Sequence, residues 1–143
     1  MRILSWNVWG LGNDRTFVAL KKFLQLYRPQ LVFLCETRLK TIHMNNVGMK
    51  LNFNNCFAVS SNGRSGGLAM LWDSDIRVSI TSFSNHHIDA EVDNKDGNHM
   101  RCTGFMATQR RVRKNIRGPY SEDWQVCLHL HGCVLEILTK FCT

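Results

Sequence analysis

No stretch of this 143-residue chain approaches the roughly 20 consecutive apolar residues that a bilayer-spanning helix needs, so no membrane span is expected. Its six cysteines, at 35, 56, 102, 127, 133 and 142, include no Cys-x-x-Cys pair. Scattered in this way, without a secretory context, they read as reduced thiols and exclude a disulfide framework. Internal repeats and low-complexity segments are missing as well. Acidic residues are scarce, with 11 Asp and Glu against 18 Lys and Arg. The resulting charge of +7 and pI near 9.4 suit a polyanionic partner, nucleic acid first and an acidic membrane surface second. The first apolar run starts almost at Met1, which leaves no room for a signal peptide. The expected location is therefore intracellular, nuclear or cytoplasmic, and not secreted.

What is present fits one folded domain with a modest core: 44% of residues are hydrophobic and the mean hydropathy is −0.20. Two apolar runs each stop at a polar residue, Ile3-Leu4-Ser5-Trp6 at Asn7 and Leu31-Val32-Phe33-Leu34-Cys35 at Glu36. Between them, Asn13 or Asp14 can cap a helix from about Arg15 to Tyr27. Its apolar stripe is Phe17, Leu20, Leu24 and Tyr27, and Pro29 stops it. A strand, a crossover helix and a parallel strand take roughly 30 residues. Such crossovers are right-handed, and open α/β sheets bind ligands at the carboxyl ends of their strands. Asn7 and Glu36 are therefore expected side by side at one sheet edge. Magnesium is commonly held by a lone carboxylate among neutral oxygens. The plainer reading of Asn7 is a turn former or helix cap. Glu36 suits that reading less, being a poor turn former and a costly neighbour for an apolar strand.

A weaker helix is expected over Thr41 to Leu51, with Gly48 counting against it, then a strand from Cys56 to Val59 and a polar loop to Gly67. An antiparallel meander follows. It runs through Leu68 to Trp72, the turn Asp73-Ser74-Asp75, and strands marked by Ile76, Val78 and Ile80 and by Ile88, Ala90 and Val92. Asp96-Gly97 turns the chain into His99 to Phe105. Cys35 and Cys102 read as small core residues. Gly63-Arg64-Ser65-Gly66-Gly67 reads as a flexible turn or as an anion nest that brings Arg64 and Ser65 near a phosphate. His86-His87-Ile88-Asp89 reads as structural. His129-x-His131-x-Cys133 is a poor zinc set, because alternate residues of one strand do not converge.

The opening Met1-Arg2-Ile3-Leu4-Ser5-Trp6-Asn7-Val8-Trp9-Gly10-Leu11-Gly12-Asn13 resembles the endonuclease domain carried by plant non-LTR retrotransposons. That domain belongs to the endonuclease/exonuclease/phosphatase superfamily, with deoxyribonuclease-I-like enzymes and apurinic endonucleases. The likeness continues through Phe33-Leu34-Cys35-Glu36-Thr37-Arg38-Leu39 and Gly63-Arg64-Ser65-Gly66-Gly67-Leu68-Ala69-Met70-Leu71-Trp72. It persists at Asn85-His86-His87-Ile88-Asp89 and fades at Thr103-Gly104-Phe105. It implies an α/β (α+β) two-sheet sandwich flanked by helices, of which residues 1–105 would supply the N-terminal half. It also implies that Glu36 binds a catalytic divalent metal, magnesium or else manganese, and that Asn7 helps hold metal and scissile phosphate. DNA is the implied partner, and no small-molecule cofactor is called for.

After Phe105 the pattern breaks. The family places a tyrosine where this chain has Met106, which has no hydroxyl to donate. A Gly-Asp-x-Asn motif and a final Asp-His pair, which the family uses for water orientation, phosphate binding and acid–base work, do not occur in the sequence. Residues 106–143 read instead as a divergent basic tail with six Lys and Arg against three acids. Apolar residues such as Leu68, Leu71, Ile76 and Ile80 then risk lacking a covering sheet, unless the tail folds over them. Three functions follow. The first is an incomplete relic of a magnesium-dependent endonuclease. The second is a non-catalytic nucleic-acid-binding module using Arg64, Arg110, Arg111, Arg113, Lys114 and Arg117. The third is a working phosphodiesterase with relocated or partner-supplied residues.

Overall fold

The computed structural model describes residues 1–63, 65–107, 125–131 and 136–140. Arg2–Asn7 (β1) and Leu31–Cys35 (β2) pair in parallel, with Ile3 opposite Leu31 and Asn7 opposite Cys35. The helix Asp14–Tyr27 (α1) connects them. Asn13 is its cap, the side-chain oxygen accepting the Arg15 N–H at 2.9 Å. At the other end Arg28 takes a left-handed conformation (φ 46°) and donates its N–H to the Leu24 carbonyl, one residue before Pro29.

The second helix, Thr41–Lys50 (α2), forms despite Gly48. A Cβ there would lie 3.0 Å from Leu71 Cδ2 and 3.4 Å from Cys56 Cβ. The glycine that weakens the helix by about 1 kcal/mol thus lets it lie close against the sheet. Asn55–Val59 (β3) and Leu68–Trp72 (β4) follow, and both run antiparallel to their partners.

Ile76–Phe83 (β5), His87–Asn94 (β6), His99–Ala107 (β7) and Gln125–His131 (β8) make a second, four-stranded antiparallel sheet in that order. Glu136–Lys140 (β9) returns to the first sheet and pairs in parallel with β1, giving the order β3-β4-β2-β1-β9. This corrects one expectation. Leu68–Trp72 does not open the meander, and Asp73-Ser74-Asp75 crosses between sheets instead of turning a hairpin. The physical reason lies in burial. Leu68 to Leu71 are fully buried in succession, as in a strand covered on both faces, whereas β5 alternates and has one wet face.

The two sheets face one another. Ile3, Leu31, Phe33, Cys35, Leu68 and Met70 pack against Ile76, Ile88, Ala90, Val92, Met100, Cys102 and Met106. On the far side of the first sheet, Leu4, Trp6, Val32, Leu34 and Leu71 pack with Leu20 and Leu24 of α1 and Met44 of α2. A Cβ on Gly104 would stand 2.5 Å from the Phe33 ring, so the close approach of β7 to β2 requires glycine. The α/β two-sheet sandwich is thus as expected. The feared loss of cover does not occur: Leu68, Leu71 and Ile76 are buried, and Ile80 is half-buried against the core. Met106 and Ala107 complete β7, and β8 and β9 add one strand to each sheet.

Candidate active site

β1 and β2 end at the same sheet edge, and their pairing runs on past both ends. Val8 N–H donates to the Cys35 carbonyl at 3.1 Å, Gly10 N–H to that of Glu36 at 2.7 Å, and Leu11 N–H to that of Thr37 at 2.9 Å. The zipped segment is strained. Trp9 (φ 50°), Glu36 (φ 54°) and Arg38 (φ 55°) all occupy the left-handed region without being glycine. Such residues cost on the order of 1–3 kcal/mol each and cluster at functional sites.

Asn7, 2% exposed, accepts the Trp9 N–H on its side-chain oxygen at 3.3 Å, so it holds the turn whatever else it does. Glu36 is 5% exposed. Its Oε2 accepts the Gly66 N–H at 3.3 Å and lies 3.6 Å from Arg38 Nε. The loop before β4 is tied to the same segment: Thr37 N–H donates to the Gly67 carbonyl at 3.2 Å and Arg38 N–H to that of Gly66 at 2.9 Å. A side chain at Gly67, where φ is 93°, would run into Thr37 Oγ1. The glycines of this loop therefore bring one backbone N–H to the Glu36 carboxylate. The Ser65 hydroxyl donates to the Asn62 carbonyl at 3.2 Å, within the loop. Arg64, Arg110, Arg111, Arg113, Lys114 and Arg117 lie outside the described residues.

A cavity of about 410 Å³ opens here, lined among others by Trp9, Glu36, Arg38, Ser65, His86 and Met106. A larger hollow, about 750 Å³, lies by the turns at the opposite ends of β4 and β5 and contains no buried carboxylate. The buried Glu36 carboxylate sits in the smaller one. Glu36 and the Asn7 amide are oxygen donors of the kind a hard cation takes, with water or phosphate completing its shell. Among the described residues no group of three or more His, Cys, Asp and Glu converges on a metal position. One buried carboxylate with an amide is the donor chemistry a hard divalent cation takes, and the Arg38 guanidinium already offers that carboxylate positive charge. The thiols stand apart from this chemistry. Burial, with Glu36 next to it, pushes the Cys35 thiol far up, and burial raises Cys102 to about 12 and Cys56 to about 11.

The structural reading of His86-His87-Ile88-Asp89 fits three of its residues, Ile88 being fully buried in the core, while His86 stands apart. His87 lies against Ser82 Oγ at 3.2 Å and Ser84 Oγ at 2.6 Å, and Asp89 is bound by Arg101 and Thr103. His86 lines the cavity instead. It sits just ahead of β6, in a segment joined to the end of β7 by the 2.8 Å bond from Met106 N–H to the His86 carbonyl. Trp9 and Arg38 are site residues that the sequence reading does not single out. Each follows a strand-end polar residue by two positions and lies within a block that carries the family resemblance.

Solved structures similar to this chain include the 3′ phosphatase NExo from Neisseria bound to a product DNA hairpin (16% identity, 65% of this chain and 40% of that one, TM-score 0.44). Others are the apurinic endonuclease LMAP from Leishmania major (14%, 66% and 36%, TM-score 0.46) and an apurinic endonuclease from Archaeoglobus fulgidus (14%, 64% and 39%, TM-score 0.44). The chain thus spans two fifths or less of the length of these three proteins. No curated protein sequence matches it. The sequence profile of the Endonuclease/Exonuclease/phosphatase family matches residues 4–130, nearly the whole chain and well past Phe105, and the chain therefore belongs to that family.

Proposed function

We propose that this chain is a DNA-directed, magnesium-dependent endonuclease-type domain of the plant retrotransposon kind that retains the metal and phosphate half of its site and lacks the rest. Manganese would serve the same ligands. The observation that carries this reading is the buried Glu36 carboxylate, which directly follows the Asn7–Cys35 pair that ends the β1–β2 ladder and lines a cavity. Bound there, a divalent ion would supply charge to polarise a phosphodiester. Glu36 would hold it and Asn7 would orient it or the phosphate. Hydrolysis also needs an activated in-line water and stabilisation of the leaving oxygen. Met106, at the position where a tyrosine hydroxyl would stand, offers neither, and the sequence contains no Gly-Asp-x-Asn motif. General acid–base assistance is worth about 10² to 10⁴ in rate, so its loss leaves little turnover.

The test is nicking of supercoiled plasmid by folded protein with magnesium, with EDTA and Glu36→Ala controls, alongside manganese binding by calorimetry. The expected result is no nicking above background and manganese binding that Glu36→Ala abolishes. Nicking lost in both controls would show a complete site, with His86 the first residue to examine. Absence of manganese binding in the wild type would remove the metal reading. A non-catalytic nucleic-acid-binding module is the second reading, favoured by the charge of +7. It is selected by DNA affinity that falls steeply with salt and is indifferent to metal.

A further inference from the structure

Trp9 is the odd residue of its segment. Trp6 and Val8 before it and Leu11 after it are buried in the layer beneath α1, whereas Trp9 belongs to neither core cluster and is 38% exposed. A bulky side chain in the left-handed region is uncommon and unfavourable. Here that conformation is pinned from both sides. The Trp9 N–H is held by the Asn7 side chain at 3.3 Å, and the next N–H, of Gly10, is held by the Glu36 carbonyl at 2.7 Å. The Arg38 guanidinium lies over the Trp9 ring, 5.1 Å from its centroid, and its Nε is 3.6 Å from Glu36 Oε2. An exposed indole, a guanidinium and a buried carboxylate thus share the lining of one cavity on backbone already fixed in place.

Resting on the nucleic-acid reading of this cavity, we propose that Trp9, backed by Arg38, is a stacking platform for one unpaired nucleobase beside the Glu36 carboxylate. An aromatic face polarised by a cation suits the flat π-surface of any base. A cavity of about 410 Å³ is within the range that takes a small ligand such as one nucleotide. A base inside a duplex has both faces covered by its neighbours, so only a single-stranded or extruded nucleotide can use the indole. Because the platform is rigid, little side-chain entropy is lost on stacking. The site therefore favours single-stranded over duplex DNA, a preference that phosphate contacts alone would not give.

The test is fluorescence anisotropy with a labelled single-stranded oligonucleotide and its blunt duplex, in EDTA so that no metal or cleavage intervenes. Trp9→Ala and Trp9→Asn should weaken single-strand binding by about 5- to 150-fold, the range for losing one stacked base, and leave duplex binding within about threefold. Trp9→Phe should retain most of the single-strand affinity. Asn enters the left-handed region readily, so Trp9→Asn keeps the experiment informative if the alanine variant folds poorly. Unchanged single-strand binding in both variants, or equal losses on single strand and duplex, would overturn the platform while leaving the nucleic-acid reading intact. No binding of either DNA by the wild type would remove that reading and the platform with it.

Discussion

On the outer face of the second sheet the Asp89 carboxylate accepts from Arg101 Nε at 3.1 Å, from Arg101 Nη2 at 2.6 Å and from Thr103 Oγ1 at 2.9 Å. The Arg101 hydrogen bonds, opposed by burial and helped by Thr103, hold the carboxyl down at about 2 against an ordinary 3.8. A carboxyl whose pKa is lower folded than unfolded contributes stability above the unfolded value and loses it as pH falls through the folded one. That contribution should be whole above about pH 4 and gone near pH 2. Asp89→Asn should cost about 1.5 to 3 kcal/mol at neutral pH, toward the lower figure because Arg101 is well exposed. Its acid limb should flatten in the same window. Urea unfolding of both proteins from pH 7 to pH 2 checks this, and parallel curves for the two would refute it. At this scale the sequence exposed only part of the site. Asn7 and Glu36 stand out because a polar residue ends an apolar run. Trp9 and Arg38 do not, because their place depends on left-handed backbone that no residue type announces.

Elements differ in how openly the sequence declares them. Both helices and the first seven strands follow from periodicity, caps and turn residues within a few positions. Their assignment to sheets does not, because β2 and β4 are buried on both faces and nothing local says which edge a continuous apolar strand will meet. The loop between β3 and β4 shows how an element makes the site. Gly66 and Gly67 hold positive φ (76° and 93°) while their carbonyls receive Arg38 and Thr37 N–H groups. Gly67→Ala combines an unfavourable φ with a collision at Thr37 Oγ1 and a Cβ only 3.1 Å from the Arg38 nitrogen. We expect it to cost about 2 to 4 kcal/mol and to detach the loop from Glu36. Thermal unfolding should show the loss, and manganese affinity should fall with it. Gly63→Ala, with open space around its Cβ position, isolates the φ penalty and should cost only about 1 kcal/mol. Equal effects at the two positions would mean that the contact with Thr37 is unimportant.

The whole molecule depends on residues that look, in sequence, like an appendage. β8 and β9 belong to different sheets, so these two strands extend the sandwich on both layers. β9 covers the edge of β1 from Arg2 to Trp6, in register with Glu136 to Lys140. Without it, β1 would become an edge strand whose Ile3 and Leu4 are fully buried, an apolar and unpaired row open to other chains. A chain ending at His131 keeps β8 and tests this directly. It should elute as aggregate in size-exclusion chromatography at concentrations where the full chain does not, and its thermal transition should fall or broaden. The consequence reaches the site, because β1 also carries Asn7, which holds Trp9. Loosening that edge should therefore weaken single-strand DNA binding even where soluble protein remains. A truncated chain that stays monomeric, melts like the full one and binds DNA equally would show that β1 needs no partner on that side. The sandwich would then be closed by β2, β4 and the second sheet alone.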